Sequence, residues 1–333
     1  MTRVSGAFPA RILISLWVLS GTLLSGEPAW GLPTSSPSNT SSASSLSGQE
    51  LLRIGEIHDN QQHFLETLTY YQLALSRFKE KKQLRGAATA MLKIARVYER
   101  QGKIREAYRS LQEALPIFAR SSDGAAHAGA LLAMGRIAGR LGQRDEAGDS
   151  LSRAVALFEQ VKDSRGWSEA LVHLGLLQVS DGSPDAGMAS LQQAYENAKR
   201  RRDVEQQLMA LLSLGDARYL LDRTTEARTM YGDGLKLAEA EHHVPFEAKL
   251  RLRLAQLDSI DGQLTEGIAL GKRALLLSQT VRDNITEAVA WSLLADLYRR
   301  AERESEAEEA DKRALAIYRA KELFVHGAPE AAP

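Results

Sequence analysis

The amino-acid sequence predicts an all-α protein built from seven tandem pairs of helices. Small residues recur every 40 positions, and we call them the crossing residues: Gly55, Ala95, Gly135, Gly175, Gly215, Ala255 and Ala295. Apolar residues spaced i, i+3 and i+4 surround each of them, which is the pattern of one apolar helix face. Because Gly or Ala lets two helix backbones approach closely, each crossing residue predicts a contact between the two helices of its pair.

The turns between the predicted helices also follow this period. A second set of glycines predicts the turn inside a pair, where a positive φ costs Gly little: Gly102, Gly142, Gly182 and Gly262. A set of aspartates precedes the next pair and predicts N-caps or turn residues: Asp123, Asp163, Asp203 and Asp283. The repeats therefore follow one another without a long linker.

Composition narrows the class of protein. The chain has 333 residues, of which 44% are hydrophobic and 25% charged, as in globular proteins. The 42 basic and 42 acidic residues give a formal net charge of zero, which argues against a nucleic-acid partner. The absence of Cys excludes disulfides, Cys-ligated zinc and a thiol nucleophile.

The N-terminal segment resembles an export signal. Residues 1–31 combine Arg3 and Arg11 with an apolar stretch over residues 12–24, and Ala29-Trp30-Gly31 offers small residues for cleavage. The alternative is an uncleaved membrane anchor at residues 12–24. With cleavage, we expect an exported protein of a bacterial periplasm or envelope, or of the extracellular space.

Two further segments have the composition of disordered chain. Residues 32–48 are rich in Ser, Thr and Pro and predict a flexible linker, and residues 321–333 predict an unstructured tail. The helical region between them is predicted to cover residues 49–320.

The repeats resemble the tetratricopeptide repeat family, in a long-helix form. Ala95 and Tyr98, followed by Ala107, Leu111 and Ala114, carry the family spacing, and seven copies stand in register. The resemblance implies a right-handed α-solenoid whose first helices (A) line a concave face while the second helices (B) lie outside. It also implies a non-catalytic scaffold that binds a protein or peptide in that groove.

No residue set in the sequence predicts catalysis. The phosphate-binding loop, the His-Glu-x-x-His pair and the Gly-x-Ser-x-Gly turn are all missing. We therefore expect no enzyme activity, no cofactor, no metal and no small-molecule substrate.

An aliphatic residue stands three positions before six of the seven crossing residues: Leu52, Leu92, Leu132, Val172, Leu212 and Leu252. Two interpretations remain open. The ladder either belongs to the seam between helices or lines the groove as an apolar contact surface, with Leu92 and Leu132 at its centre.

The predicted A helices of the first three repeats are rich in cations: Arg53, Lys93, Arg96, Arg100, Arg136 and Arg140. This set predicts a basic patch for an acidic or carboxylate-bearing segment of a partner. The alternative is an ordinary solvated face. Copies four and five are neutral or acidic, and there His173 and Tyr219 are candidate contact residues.

The sequence thus predicts an exported scaffold without catalytic activity, which binds a protein or peptide through its groove. Two alternatives stay open. The chain could self-associate as an assembly factor, or act as a regulatory adaptor held at the membrane by residues 12–24.

Overall fold

A computed structural model describes residues 45–61 and 63–320, and within them the protein consists of fourteen α-helices and no strand. The helices are α1 (Gly48–Asn60), α2 (Phe64–Glu80), α3 (Leu84–Arg100), α4 (Ile104–Ala119), α5 (Gly124–Arg140), α6 (Arg144–Gln160), α7 (Ser164–Ser180), α8 (Pro184–Arg200), α9 (Val204–Leu220), α10 (Thr224–Ala240), α11 (Val244–Ile260), α12 (Leu264–Thr280), α13 (Asn284–Arg300) and α14 (Glu304–Ala320). Odd-numbered helices are the A helices and even-numbered helices are the B helices. The predicted all-α class is confirmed.

The described residues form two compact units, which divide between residues 163 and 164. The first unit contains the three pairs from α1 to α6, and the second contains the four pairs from α7 to α14. In each unit the two helices of every pair pack on each other. The predicted export signal, residues 32–44 of the predicted linker and the predicted tail lie outside the described residues. Within the described ranges, no helix is long and apolar enough to cross a bilayer.

The turns are as regular as the helices. Most helices have the same length of 17 residues, and from α2 onward they begin at even intervals along the chain. The four turn glycines have φ between 75° and 83°, which confirms their predicted role. Seven other turns place a non-Gly residue in the same left-handed conformation, among them Lys82 and Asp222.

The crossing residues lie where the two helices of a pair approach most closely. A Cβ added at Gly215 would overlap the ring of Tyr231, and one added at Gly175 would lie 2.8 Å from the carbonyl oxygen of Gly187. A larger residue at Gly175 would press on the backbone of α8, and one at Gly215 would displace the Tyr231 ring. The close approach that the sequence predicts is therefore confirmed.

Three of the recurring aspartates cap A helices. The side chains of Asp123, Asp203 and Asp283 accept hydrogen bonds from the backbone N–H groups at the i+3 position, at 3.0, 3.2 and 3.1 Å. Each bond satisfies one of the N–H groups that a helix start leaves without a partner. The capping interpretation is confirmed for these aspartates.

The aliphatic ladder belongs to the core. Leu52, Leu92, Leu132, Val172 and Leu252 are 2–9% exposed, and Leu212 is half-buried. These side chains fill the seam between helices, because a row of exposed aliphatic groups would lose about 25 cal/mol for each Å² left in water. Leu92 and Leu132 are thus core residues and not surface contacts, which corrects the groove interpretation.

Two glycines separate the effect of turn geometry from that of helix propensity. Gly142 has φ +75° and Gly129 lies inside α5, and an added Cβ meets no atom within 4 Å at either position. We expect Gly142→Ala to lower the free energy of unfolding by about 1 kcal/mol, because Ala is strained in the left-handed region. Gly129→Ala should raise it by about 1 kcal/mol, since Ala favours the helix. Urea unfolding followed by circular dichroism measures both changes, and changes of the same sign would contradict this account.

Asp123 should make stability depend on pH. Its hydrogen bond from the backbone N–H of Ala126, with a further contribution from Arg85, lowers the pKa of Asp123 below its ordinary value of 3.8. A lowered pKa stabilises the fold above the unfolded value, and the contribution is lost as pH falls through the folded value. We expect Asp123→Ala to cost about 1 kcal/mol at neutral pH and less in acid. Asp123→Asn, which keeps the cap, is the control, and a cost that stays constant into acid would refute the assignment.

Candidate functional site

The predicted cations of the first unit lie on one face of its A helices. We call this set the basic face: Arg53 on α1, Lys93, Arg96 and Arg100 on α3, and Arg136 and Arg140 on α5. Lys93, Arg96 and Arg100 share one side of α3 because they are spaced i, i+3 and i+7. The core residues Ala95 and Val97, both 0% exposed, lie on its other sides.

Two cations of α3 are paired with carboxylates of α1. The Lys93 ammonium lies 2.7 Å from a carboxylate oxygen of Glu56, and Arg100 pairs with Asp59. Both pairs join consecutive A helices, so they hold one repeat against the next. Much of the charge at Lys93 and Arg100 is therefore compensated inside the protein.

Glu99 of α3 binds two arginines of α5. Arg136 donates from Nε to the carboxylate of Glu99 at 3.3 Å, and Arg140 donates from Nη1 to the backbone carbonyl of Glu99 at 3.2 Å. Burial lowers the pKa of Arg140, and the neighbouring Arg136 adds to the effect, although Glu99 opposes it. Glu99 thus accepts hydrogen bonds from the guanidinium groups of both Arg136 and Arg140.

Arg53 and Arg96 have no such partner. Both are exposed, and neither forms an ion pair or hydrogen bond with another residue of the described ranges, although the charge of Arg53 helps Ser47 to lower the pKa of the nearby Glu50. In the next repeat, Ala133 on α5 occupies the position that corresponds to Lys93 on α3. The ion pair between Lys93 and Glu56 therefore has no counterpart in that repeat. The cations of the basic face therefore outnumber the carboxylates that pair with them, which belong to Glu56, Asp59 and Glu99.

Arg100 also has a hydrogen-bond donor without a partner. Its Nε is buried and has no hydrogen-bond partner in the described structure, while its guanidinium lies 5.3 Å from the ring centre of Phe64. Burial lowers the pKa of Arg100. An anion that approached this face would meet exposed charge at Arg53 and Arg96 and partly desolvated guanidinium groups behind them.

The carboxylates that pair with the basic face were missed by the sequence reasoning. A signal for them exists, because each acid lies about one repeat away from its partner. The Arg136–Glu99 pair spans 37 positions and the Arg100–Asp59 pair spans 41 positions, while Lys93 and Glu56 have the same separation as Arg136 and Glu99. Comparing charges slightly less and slightly more than one repeat apart would have found every one of these pairs.

The two candidates of the second unit have different positions. His173 is half-buried on α7. Tyr219 is only 8% exposed on α9, so it is a core residue and not an exposed anchor for a partner. Nearby, Asp216 accepts hydrogen bonds from Tyr231 Oη at 2.7 Å and Arg253 Nε at 2.8 Å, so its carboxylate is occupied inside the protein.

A metal centre finds no support in the described part of the chain. Residues 45–61 and 63–320 contain no group of three or more His, Asp or Glu side chains that could hold a metal ion. What the basic face can do is bind anions through Arg side chains.

Glu99→Gln tests how far the basic face depends on its internal acids. The Glu99 side chain is 11% exposed and that of Arg136 is 28% exposed. We expect the substitution to lower the free energy of unfolding by about 2 kcal/mol, because Arg136 loses a partly buried partner. Asp149→Asn removes an exposed pair with Arg153 and should cost less than about 0.5 kcal/mol. Urea unfolding compares the variants, and equal costs would show that the Glu99 pair stabilises the fold no more than an exposed pair does.

Solved structures with the same fold were found for most of the chain. A Rap protein complexed with Competence and Sporulation Factor has a TM-score of 0.64 and 16% identity, covering 85% of this chain and 79% of the other. Aspartyl phosphate phosphatase F from Bacillus subtilis has a TM-score of 0.62 and 12% identity, covering 85% and 73%. The Rap conjugation gene regulator of the plasmid pLS20, in complex with the Phr* peptide, has a TM-score of 0.60 and 16% identity, covering 92% and 83%. At these identities the similarity shows the fold alone.

Sequence comparisons identify the repeat in two parts of the chain. Among curated proteins, no sequence matches this chain. One tetratricopeptide repeat model matches residues 246–320, and a second matches residues 89–115. Both matches fall on helix pairs of the structure, and these residues are tetratricopeptide repeats.

Proposed function

We propose that this protein is an exported, non-catalytic scaffold that binds an acidic segment of a partner protein or peptide through the basic face of residues 45–163. The observation that carries the proposal is the unpaired charge at Arg53 and Arg96. Both side chains are exposed beside arginines whose own partners lie inside the protein.

Electrostatics supports an acidic partner. Guanidinium groups bind carboxylates bidentately, and such charge-assisted hydrogen bonds are about twice as strong as neutral ones. The internal carboxylates fix the positions of Lys93, Arg100 and Arg136 before a partner arrives, so less side-chain entropy is lost on binding. Arg53 and Arg96 attract the carboxylates of the partner, whereas the paired cations form a surface whose side chains are already held in position.

The similar structures support a binding role in a general way. One is described with Competence and Sporulation Factor and another with the Phr* peptide, so proteins of this fold bind such molecules. The absence of catalytic motifs from the sequence favours a scaffold over an enzyme. Export rests on the signal-like composition of residues 1–31.

A charge reversal on the basic face tests the proposal. Peptides are selected from a random dodecapeptide display library on the full chain, and their affinities are measured by fluorescence anisotropy at low and high salt. We expect peptides rich in Asp and Glu, with affinity that falls as salt rises. Arg53→Glu/Arg96→Glu should weaken them at least about tenfold, because two charge-assisted contacts become repulsive.

The matched control reverses two exposed cations on B helices. Lys79→Glu/Arg109→Glu changes the net charge by the same amount but leaves the basic face intact. Its affinity for the acidic peptides should stay within about twofold of the wild type, apart from a long-range effect that salt removes. If both double variants weaken binding equally, or if no acidic peptide is enriched, the basic face is not the binding site.

A further inference from the structure

We propose that one edge of the unit of residues 45–163 binds the surface of a membrane that contains anionic lipids. The edge is formed by the turns that follow the B helices, and its centre is the turn between α2 and α3. We call residues 79–85 the basic turn, and its contact residues are Lys79, Lys81, Lys82, Leu84 and Arg85. The basic face is a different set of residues, so this contact does not depend on the proposed acid-binding function.

The basic turn is accessible along its whole length. Every residue from 79 to 85 is exposed, whereas buried and exposed positions alternate along the helices on both sides. The side chains of Lys79, Lys81 and Lys82 form no ion pair or hydrogen bond with another residue in the described part of the chain. Their ammonium groups are therefore available to an anion from outside the protein.

The acids near the basic turn are occupied by other groups. Glu80 pairs with Arg77, with a nitrogen–oxygen distance of 3.0 Å. Glu50 accepts hydrogen bonds from Ser47, including one from its backbone N–H at 2.8 Å, and these bonds lower the pKa of Glu50 more than the charge of Lys81 does. The basic turn therefore keeps an excess of positive charge.

The backbone at Lys82 is unfavourable for a side chain. Lys82 has φ 54°, in the left-handed region where Gly is favoured. At the other edge of the same unit, Gly102 and Gly142 adopt this conformation with φ 75°. The dipole of the preceding helix does not explain the difference, because α3 and α5 end with the same dipole as α2. A contact between the Lys82 ammonium and another molecule does explain it.

The preference for cations at this position recurs along the chain. In the described residues, the left-handed positions that follow B helices are all basic: Lys82, Lys162, Arg202, His242 and Arg282. Those that follow A helices are Gly or acidic: Gly102, Gly142, Gly182, Asp222, Gly262 and Glu302. Since helices joined by a short turn run antiparallel, these two kinds of turn lie at opposite edges of a unit. Only one edge has the charge that attracts anions.

An apolar side chain lies among the cations of the basic turn. Leu84 is 61% exposed, more than any other large apolar side chain in the described structure, and it is the first residue of α3. At a membrane surface, Lys side chains contact head-group phosphates while an adjacent apolar side chain enters the boundary of the acyl chains. A flexible acidic peptide would pair with the lysines but would leave Leu84 in water. The combination therefore favours a bilayer.

The turns of this edge lie next to one another. Arg85 of α3 pairs with Asp123 in the turn between α4 and α5. A Cβ added at Gly124, the first residue of α5, would lie 2.8 Å from Cγ1 of Val161, which directly follows α6. Val161 is 38% exposed and precedes the exposed Lys162. A flat membrane surface can thus contact basic and apolar side chains of neighbouring turns together.

Vesicle binding by the full chain tests the proposal. The protein is sedimented with vesicles of phosphatidylcholine alone or of phosphatidylcholine mixed with phosphatidylglycerol, at low and high salt. We expect stronger binding to the anionic vesicles, by an excess that falls as salt rises. Lys81→Glu/Lys82→Glu should lower the partition coefficient on anionic vesicles at least about tenfold, because two attractive charges become repulsive. Insertion of residues 12–24 would not require anionic lipid, so the difference between the two lipid mixtures isolates the contribution of charge.

Two single substitutions separate membrane contact from a structural role. Leu84→Gln should weaken binding to anionic vesicles at least about threefold, because its apolar surface no longer enters the bilayer. Lys82→Gly should weaken binding about fivefold through the loss of one cation. It should also raise Tm, because Gly adopts the left-handed conformation without strain. A structural role for Lys82 would instead lower Tm.

The charge-matched control is Arg109→Glu/Arg153→Glu, which reverses two exposed cations on B helices of the same unit and should bind vesicles within about twofold of the wild type. Leu276→Gln is the control for Leu84, since Leu276 is 52% exposed on α12.

The proposal is overturned if the wild type binds both kinds of vesicle equally, or if Lys81→Glu/Lys82→Glu binds anionic vesicles as the charge-matched control does. It is also overturned if Leu84→Gln weakens binding no more than Leu276→Gln, because the turn would then attract anions without entering a bilayer. Arg53→Glu/Arg96→Glu should behave like the charge-matched control. The vesicle result is therefore independent of whether acidic peptides bind the basic face.

Discussion

The close approach of the two helices in each pair is the constraint on which the structure depends. At Gly175 the opposing backbone is so near that an added Cβ would lie 2.8 Å from the carbonyl oxygen of Gly187. Where the partner residue is larger, as at Gly215, the ring of Tyr231 fills the same space. The crossing residue stays as small as Gly or Ala, so the pair varies its packing mainly on the partner's side. This explains why the small residue keeps its regular spacing while its surroundings change.

Stacking of consecutive A helices relies on a second, polar set of contacts. The Arg253–Asp216 pair of the second unit spans 37 positions, and the Lys93–Glu56 pair of the first unit has the same separation. Arg100 with Asp59 and Arg300 with the Ser259 carbonyl both span 41 positions. The same repeat positions therefore carry the same kind of contact in both units. The side chains in these contacts are therefore occupied in holding consecutive A helices together.

The balance of charge at these positions differs between the two units. In the first unit the cations exceed the acids that hold the repeats together, and the excess remains at Arg53 and Arg96. In the second unit Asp216 and Arg253 neutralise each other. The same repeat positions thus leave unpaired cations in the first unit and carry a matched acid and base in the second.

The sequence alone determined the all-α class, the helix pairs, the turn glycines and the aspartate caps, because each of these is a local property repeated at a fixed spacing. It also found the cations of the basic face. It did not determine which of them stay free, since pairing depends on residues about one repeat away that meet only when repeats stack. Nor did it decide whether Leu92, Leu132 and Tyr219 face the core or water. That choice follows from the rotation of each helix about its axis, which the tertiary packing fixes by burying the larger apolar area.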